Sequence, residues 1–168
     1  GRSVIDMSVD TMARLYELKN IIGVKDATGD LNRVDKTLKK LGGSFLQLTG
    51  NDDNALEFNK RGGEGAISVT ANIAPKICSD FQKYSNLKEA SANKEKALRL
   101  DEILQPLHHS MFVESNPSPV KYAAKKLGLC DDAVRLPLVK VTDNTKDIIN
   151  NALKKSKLIW WKKKPLLV

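Results

Sequence analysis

The sequence predicts an α/β fold in its first half and a helical fold in its second. Three observations carry that reading. Short apolar runs at 20–25, 45–49 and 65–69 alternate with segments of helical period. The runs are continuously apolar rather than alternating, as in parallel strands covered on both faces. Beyond about residue 89 the strand-type runs stop and only helical periodicity remains. Strands alternating with helices of about ten residues indicate βα units and a parallel sheet. The expected parts are an α/β region at 1–88, a helical region at 89–158 and an extra tail at 159–168.

The elements follow in chain order. Met12, Leu15 and Leu18 fall at helical spacing, with Asp10 as the expected cap of a helix over 11–18. The first strand follows at 20–25. Leu31, Val34, Leu38 and Leu41 then mark a helix over 31–41, stopped by Gly42 and Gly43. The second strand is 45–49, and a helix over 52–61 ends at Gly62. The third strand is 65–69, followed by a helix over 73–84 with Pro75 in its first turn. In the second half Ala97, Leu100, Leu104, Leu107 and Met111 predict one amphipathic helix over 89–113, bent at Pro106. Asn116-Pro117-Ser118-Pro119 breaks the chain, a helix over 120–127 closes at Gly128, and a last helix covers 143–153.

Composition narrows the function classes. The chain has 168 residues, 41% hydrophobic and 29% charged, which suits a soluble globular protein. No stretch approaches the roughly 18 apolar residues of a membrane span, and no signal peptide opens the chain. The first residue is not methionine, which suggests a piece of something longer. Residues 154–168 hold six lysines and no acid, so they account for six of the eight net positive charges. The body is nearly balanced and shows no basic face or nucleic-acid module. Cys78 and Cys130 are far apart and are read as buried thiols in a cytoplasmic protein. His108-His109 has no third ligand in view and is read as a packing or solvated pair. Gly62-Gly63-Glu64-Gly65 lacks the lysine-serine pair of a phosphate loop.

The chemistry centres on Lys25. It ends an apolar strand and is followed by Asp26-Ala27-Thr28-Gly29-Asp30. Desolvation disfavours an ammonium ion, so a lysine buried at a strand end can attack a ketone as the neutral amine and form an imine. By position alone, an exposed lysine at a strand end is the other reading.

The wording around Lys25 adds a resemblance. Asn20-Ile21-Ile22-Gly23-Val24-Lys25-Asp26-Ala27-Thr28-Gly29-Asp30-Leu31 resembles the Schiff-base strand of the pyruvate-dependent class I aldolase and lyase superfamily. Leu48-Thr49-Gly50-Asn51-Asp52-Asp53, Gly65-Ala66-Ile67-Ser68-Val69-Thr70-Ala71-Asn72 and Phe112-Val113-Glu114-Ser115-Asn116-Pro117-Ser118-Pro119-Val120-Lys121 resemble later segments in the same order. Gly1-Arg2-Ser3 is similar to the end of the Tyr-Asn-Val-Pro-Gly-Arg-Thr segment of the dihydrodipicolinate synthase family, with Ser3 departing from threonine. The resemblance runs to about Leu158.

What it implies is specific. The fold would be the C-terminal part of a TIM (β/α)8 barrel, followed by a C-terminal all-helical domain. The activity would be a lyase reaction of the diaminopimelate route to lysine, condensing pyruvate with L-aspartate semialdehyde through a Schiff base on Lys25. Arg2 would hold the carboxylate of the second substrate. Gly50 would allow close approach at the substrate pocket, and Ile67 would offer backbone contacts to pyruvate. Without the resemblance these three read as a surface charge, a turn glycine and a core isoleucine. No metal and no organic cofactor is implied, and no nucleic-acid or membrane partner. The intact family forms a homotetramer.

The barrel's other half would carry a threonine pair, the tyrosines of a proton relay and the lysine-feedback site. None of Tyr16, Tyr84 and Tyr122 matches a relay position. The chain is therefore expected to be inactive alone. The alternatives are a superfamily lyase acting on a sugar acid, against which Arg2 argues, and a non-catalytic remnant. The tail, with Trp160 and Trp161 before three lysines, is read as an extension outside the fold.

Overall fold

The computed structural model describes residues 5–86 and 91–158, with backbone alone at 91 and 92. Arg2 and the tail at 159–168 lie outside the described residues. The chain divides into two compact units, one of residues up to Ser68 with Gln82–Lys94, the other of Val69–Phe81 with residues from Glu95 onward.

The first unit holds a three-stranded parallel sheet in the order β1-β2-β3, made of β1 (Gly23–Asp26), β2 (Leu46–Thr49) and β3 (Gly65–Ala66). Helix α1 (Val9–Tyr16) precedes it, α2 (Asn32–Leu41) joins β1 to β2, and α3 (Ala55–Lys60) joins β2 to β3. The cap of α1 is Ser8, whose hydroxyl accepts from the Thr11 amide at 3.1 Å, and not the expected Asp10. Asp10 pairs instead with Lys40 of α2. Gly42 stops α2 as expected, because its φ of 78° suits a residue without a Cβ. The segment expected as one helix over 52–61 opens with a 3-10 turn at Asp52–Asn54.

Parallel pairing sets Lys25 beside Leu48, and Asp26 beside Thr49. Alternate residues face opposite sides. Val24, Asp26, Gln47 and Thr49 face α2, where the Gln47 amide donates to the Val34 carbonyl. Gly23, Lys25, Leu46 and Leu48 face the other way. The strands were expected to be covered on both faces. Among the described residues of this unit Gln47 and Thr49 on the α2 face are buried while Lys25 on the other is exposed, and Met12, Val34, Phe45, Ala55 and Phe58 are buried. Ile22 and Ile67 remain 65% and 50% exposed. The strand expected over 65–69 is shorter, with β3 at Gly65–Ala66 and a 3-10 helix following at Thr70–Asn72.

The described elements of the second unit are helical. They are the first part of α4 (Pro75–Asn86), most of α5 (Ser91–Ser110), α6 (Ser118–Leu127) and α7 (Asp143–Lys155). Phe81, Leu104, Leu107, Met111, Ile149 and Leu153 are fully buried. Burial of such side chains stabilises by about 1.5–3 kcal/mol each. Helix α5 runs through Pro106, and Gly128 closes α6 in the left-handed region. His108 is buried, and its Nδ1 lies 2.7 Å from the Thr70 hydroxyl, so the histidine pair is split between core and surface. Cys78 is buried but Cys130 is exposed, contrary to the expectation of two buried thiols. Among the described residues no group of three metal-binding side chains occurs, and no helix is long and apolar enough to cross a membrane.

Candidate active site

The site is built from the ends of two parallel strands. Lys25 is the third residue of β1 and projects from the open face of the sheet. Lys25 is exposed in this chain. Gly50 follows β2 on the same face. A Cβ built on Gly50 would stand 2.7 Å from Lys25 Cε and 2.7 Å from Ala27 Cβ. The absence of a side chain at 50 is therefore what lets the lysine lie along the end of β2. The Gly50 amide also donates to the Asp26 carbonyl at 2.6 Å, which carries the β1–β2 ladder past the strand ends. Ile67 lies beyond β3, and its amide donates to the Thr49 carbonyl at 2.9 Å. That N–H is committed to the ladder, so the backbone contact expected of Ile67 would have to use another group.

The turn after Lys25 is held by bonds at every second residue. Asp26 Oδ1 accepts from the Thr28 amide at 2.8 Å and the Thr28 hydroxyl at 2.6 Å. Thr28 Oγ1 accepts from the Asp30 amide at 3.2 Å, and Asp30 Oδ1 accepts from the Asn32 amide at 3.0 Å. These short side chains hydrogen-bond the backbone two residues on, which is the physical use of Asp and Thr in a turn. Gly29 takes a φ of 79° between them. The chain passes in this way from the strand end straight into α2.

Asp26 has a second function that the sequence reading missed. Its Oδ2 accepts from Arg33 Nε at 2.8 Å, with both side chains close to 90% buried. Arg33 Nη1 reaches Asp6 at 3.1 Å, and Nη2 donates to the Met7 carbonyl at 2.6 Å. Burial alone would raise the Asp26 pKa, but the bonds from Thr28 and Arg33 outweigh it and hold the carboxyl below the ordinary carboxylate value. Burial likewise opposes the Arg33 charge, and Asp26 outweighs it and raises the guanidinium. Asp26 points away from Lys25 and is neutralised by Arg33, so it is not placed to take a proton from the lysine amine. The spacing of Asp26, Thr28 and Asp30 is a legible turn signal. Nothing local announces Arg33, whose partners lie 7, 26 and 27 positions away.

Asn51 adds one unfilled acceptor. Its Oδ1 is buried and accepts no hydrogen bond among the described residues. Its amide nitrogen lies 3.7 Å from where a Gly29 Cβ would stand, which sets the side chain over the turn after Lys25. Of the four residues expected at the site, the structure brings Lys25 and Gly50 together and sets Ile67 after the neighbouring strand. Arg2 is outside the described residues.

Comparison with known proteins identifies relatives of the chain. The sequence model of the Dihydrodipicolinate synthetase family matches residues 1–156. The 4-hydroxy-tetrahydrodipicolinate synthase of Pelagibacter ubique (strain HTCC1062) is 74% identical over 159 residues, covering 95% of this chain and 54% of that protein. The enzyme of the same name from Methylobacterium radiotolerans is 51% identical over 158 residues, covering 94% of this chain and 52% of that protein. A crystal structure described as the chloride-inhibited dihydrodipicolinate synthase of Acinetobacter baumannii complexed with pyruvate superposes with a TM-score of 0.85 at 40% identity. That match covers 92% of this chain and 52% of the other. The chain spans about half the length of the curated relatives it matches.

Proposed function

The chain belongs to the dihydrodipicolinate synthetase family, and we propose that it supplies the imine-forming lysine of a pyruvate-condensing lyase. The observation that carries this reading is Lys25 on an open sheet face, with its end accommodated by Gly50. The names of the relatives and the pyruvate in the Acinetobacter baumannii structure support it.

In this reading the Lys25 amine attacks the ketone carbon of pyruvate and water leaves, forming an imine. Loss of a methyl proton gives an enamine, whose carbon attacks the aldehyde of L-aspartate semialdehyde. The semialdehyde's own amine then closes the ring by displacing Lys25. The protonated imine is the electron sink, so the scheme calls on no metal or organic cofactor. Gly50 and Ile67 line the pyruvate side, and Arg2 holds the semialdehyde carboxylate by two parallel hydrogen bonds.

The scheme also requires the open face of the sheet to be covered. In the full (β/α)8 barrel of the family, further strands would pair with the outer edges of β1 and β3 and shield the amine. The region at 89–158 would form the helical domain beside the barrel, and the whole would assemble as a homotetramer in the cytoplasm. Unaccompanied, the 168-residue chain would turn over too slowly to matter.

The test is borohydride trapping with pyruvate, followed by peptide mapping. It is run on a full-length protein in which residues 1–158 replace the matching segment of the Pelagibacter ubique relative. Labelling at Lys25 is expected. Activity with labelling elsewhere and Lys25 unmodified would reject the reading.

A further inference from the structure

Arg33 bridges two segments that both lie outside its own helix. All three guanidinium nitrogens are engaged, and on two different segments. Nε grips Asp26, the neighbour of Lys25. Nη1 and Nη2 grip Asp6 and the Met7 carbonyl, four and five positions after Arg2 in the sequence. The Asp6 pair is exposed on the acid side and contributes little, as surface ion pairs do. The bonds to Asp26 and Met7 carry the link, since both are short and charge-assisted.

We propose that Arg33 is a positioning residue that holds the segment following Arg2 and the strand end carrying Lys25 in one common frame. This rests on the reading of Lys25 and Arg2 given above. Arg33 touches neither substrate. It acts through Asp26 on the strand end that carries Lys25, and through Met7 on the segment that follows Arg2 in the sequence. A planar guanidinium can bridge the two, whereas a lysine at 33 is a single point charge that can satisfy one partner. The two arms are separable by mutation, which a merely structural salt bridge would not be.

The experiment uses two variants, Arg33→Lys and Asp26→Asn, in the grafted full-length protein. Hydrogen exchange at the Thr28 amide is also followed in the 168-residue chain itself. Arg33→Lys keeps a cation for Asp26 and releases Met7. It should raise the KM for the semialdehyde about tenfold and leave the rate of borohydride labelling by pyruvate within about twofold, because small misplacements of a binding group are costly. Asp26→Asn loosens the strand end instead. It should speed Thr28 exchange and slow labelling about tenfold, by the same sensitivity of rate to placement. If both variants lower labelling and raise KM in the same proportion, or neither changes either quantity, the positioning role is overturned while the reading of Lys25 stands. If the unmodified graft is labelled elsewhere than at Lys25, the reading of the site fails and this inference falls with it.

Discussion

Gly50 makes room for Lys25: a Cβ at position 50 would stand 2.7 Å from Lys25 Cε. The lysine could swing away from such an intruder, since its end is flexible. Ala27 could not, because its Cβ, also at 2.7 Å, is fixed to the backbone. Gly50→Ala should therefore push the two strand ends apart, destabilising the chain by about 1–3 kcal/mol as overpacking does. It should also slow imine trapping in the full-length graft by about tenfold or more. Thermal melts and borohydride labelling check the two effects, and an unchanged melting temperature would show that Ala27 can yield.

Lys25→Met should separate chemistry from stability. The residue is exposed, so its replacement should change stability by no more than about 0.5 kcal/mol. Imine formation should vanish, because methionine has no amine. A large fall in melting temperature would mean that the lysine is structural.

Asp26 should make stability depend on acid. Its carboxyl is held below the ordinary value of 3.8 by Thr28 and Arg33, against the opposing effect of burial. A group with a depressed pKa in the folded state contributes stability that is complete above the unfolded value and is lost as pH falls through the folded one. The contribution is thus intact at pH 7, begins to fall below about pH 4 and is gone once the pH lies beneath the folded-state pKa. Asp26→Asn should cost about 1–3 kcal/mol at neutral pH and flatten the acid limb of the stability curve. Melts from pH 7 down to 2 test this, and parallel curves for parent and variant would contradict it.

Thr142 should stabilise the second unit through one hydroxyl. It caps α7 by accepting from the Thr145 amide at 3.4 Å, and it donates to Glu114 at 2.8 Å. Thr142→Ala should cost about 1–2 kcal/mol, the usual range for a lost cap. Thr142→Ser should recover most of it, since the hydroxyl remains. Paired denaturant titrations decide the matter, and equal loss in both variants would place the effect in the methyl group instead.

Much of the chain was legible before folding because its signals are local. The helical period of Leu31, Val34, Leu38 and Leu41 and the stop at Gly42 mark α2 within one residue of its start. Gly128 closes α6 for the same reason, since a φ of 78° needs no partner elsewhere to favour glycine. Boundaries failed where a distant group intervened. Asp10 lost the cap of α1 to Ser8 and pairs with Lys40, and the third strand covers only Gly65–Ala66 before the 3-10 helix at Thr70–Asn72.

The sequence by itself determined the βα alternation, the helical second half and the identity of Lys25 as the residue of interest. These depend on residue type, short-range spacing and motif resemblance, which are all written along the chain. Only the tertiary structure decided that Gly50 sits against Lys25, that Asp26 is turned away from the amine, and that Arg33 reaches a carbonyl 26 positions away in the chain. The physical reason is register. Pairing Lys25 with Leu48 assigns every neighbouring side chain to one sheet face or the other, and a slip of one residue would exchange the faces. That choice is made where α2, through Val34, meets Gln47 of β2, and no local preference near Lys25 contains it.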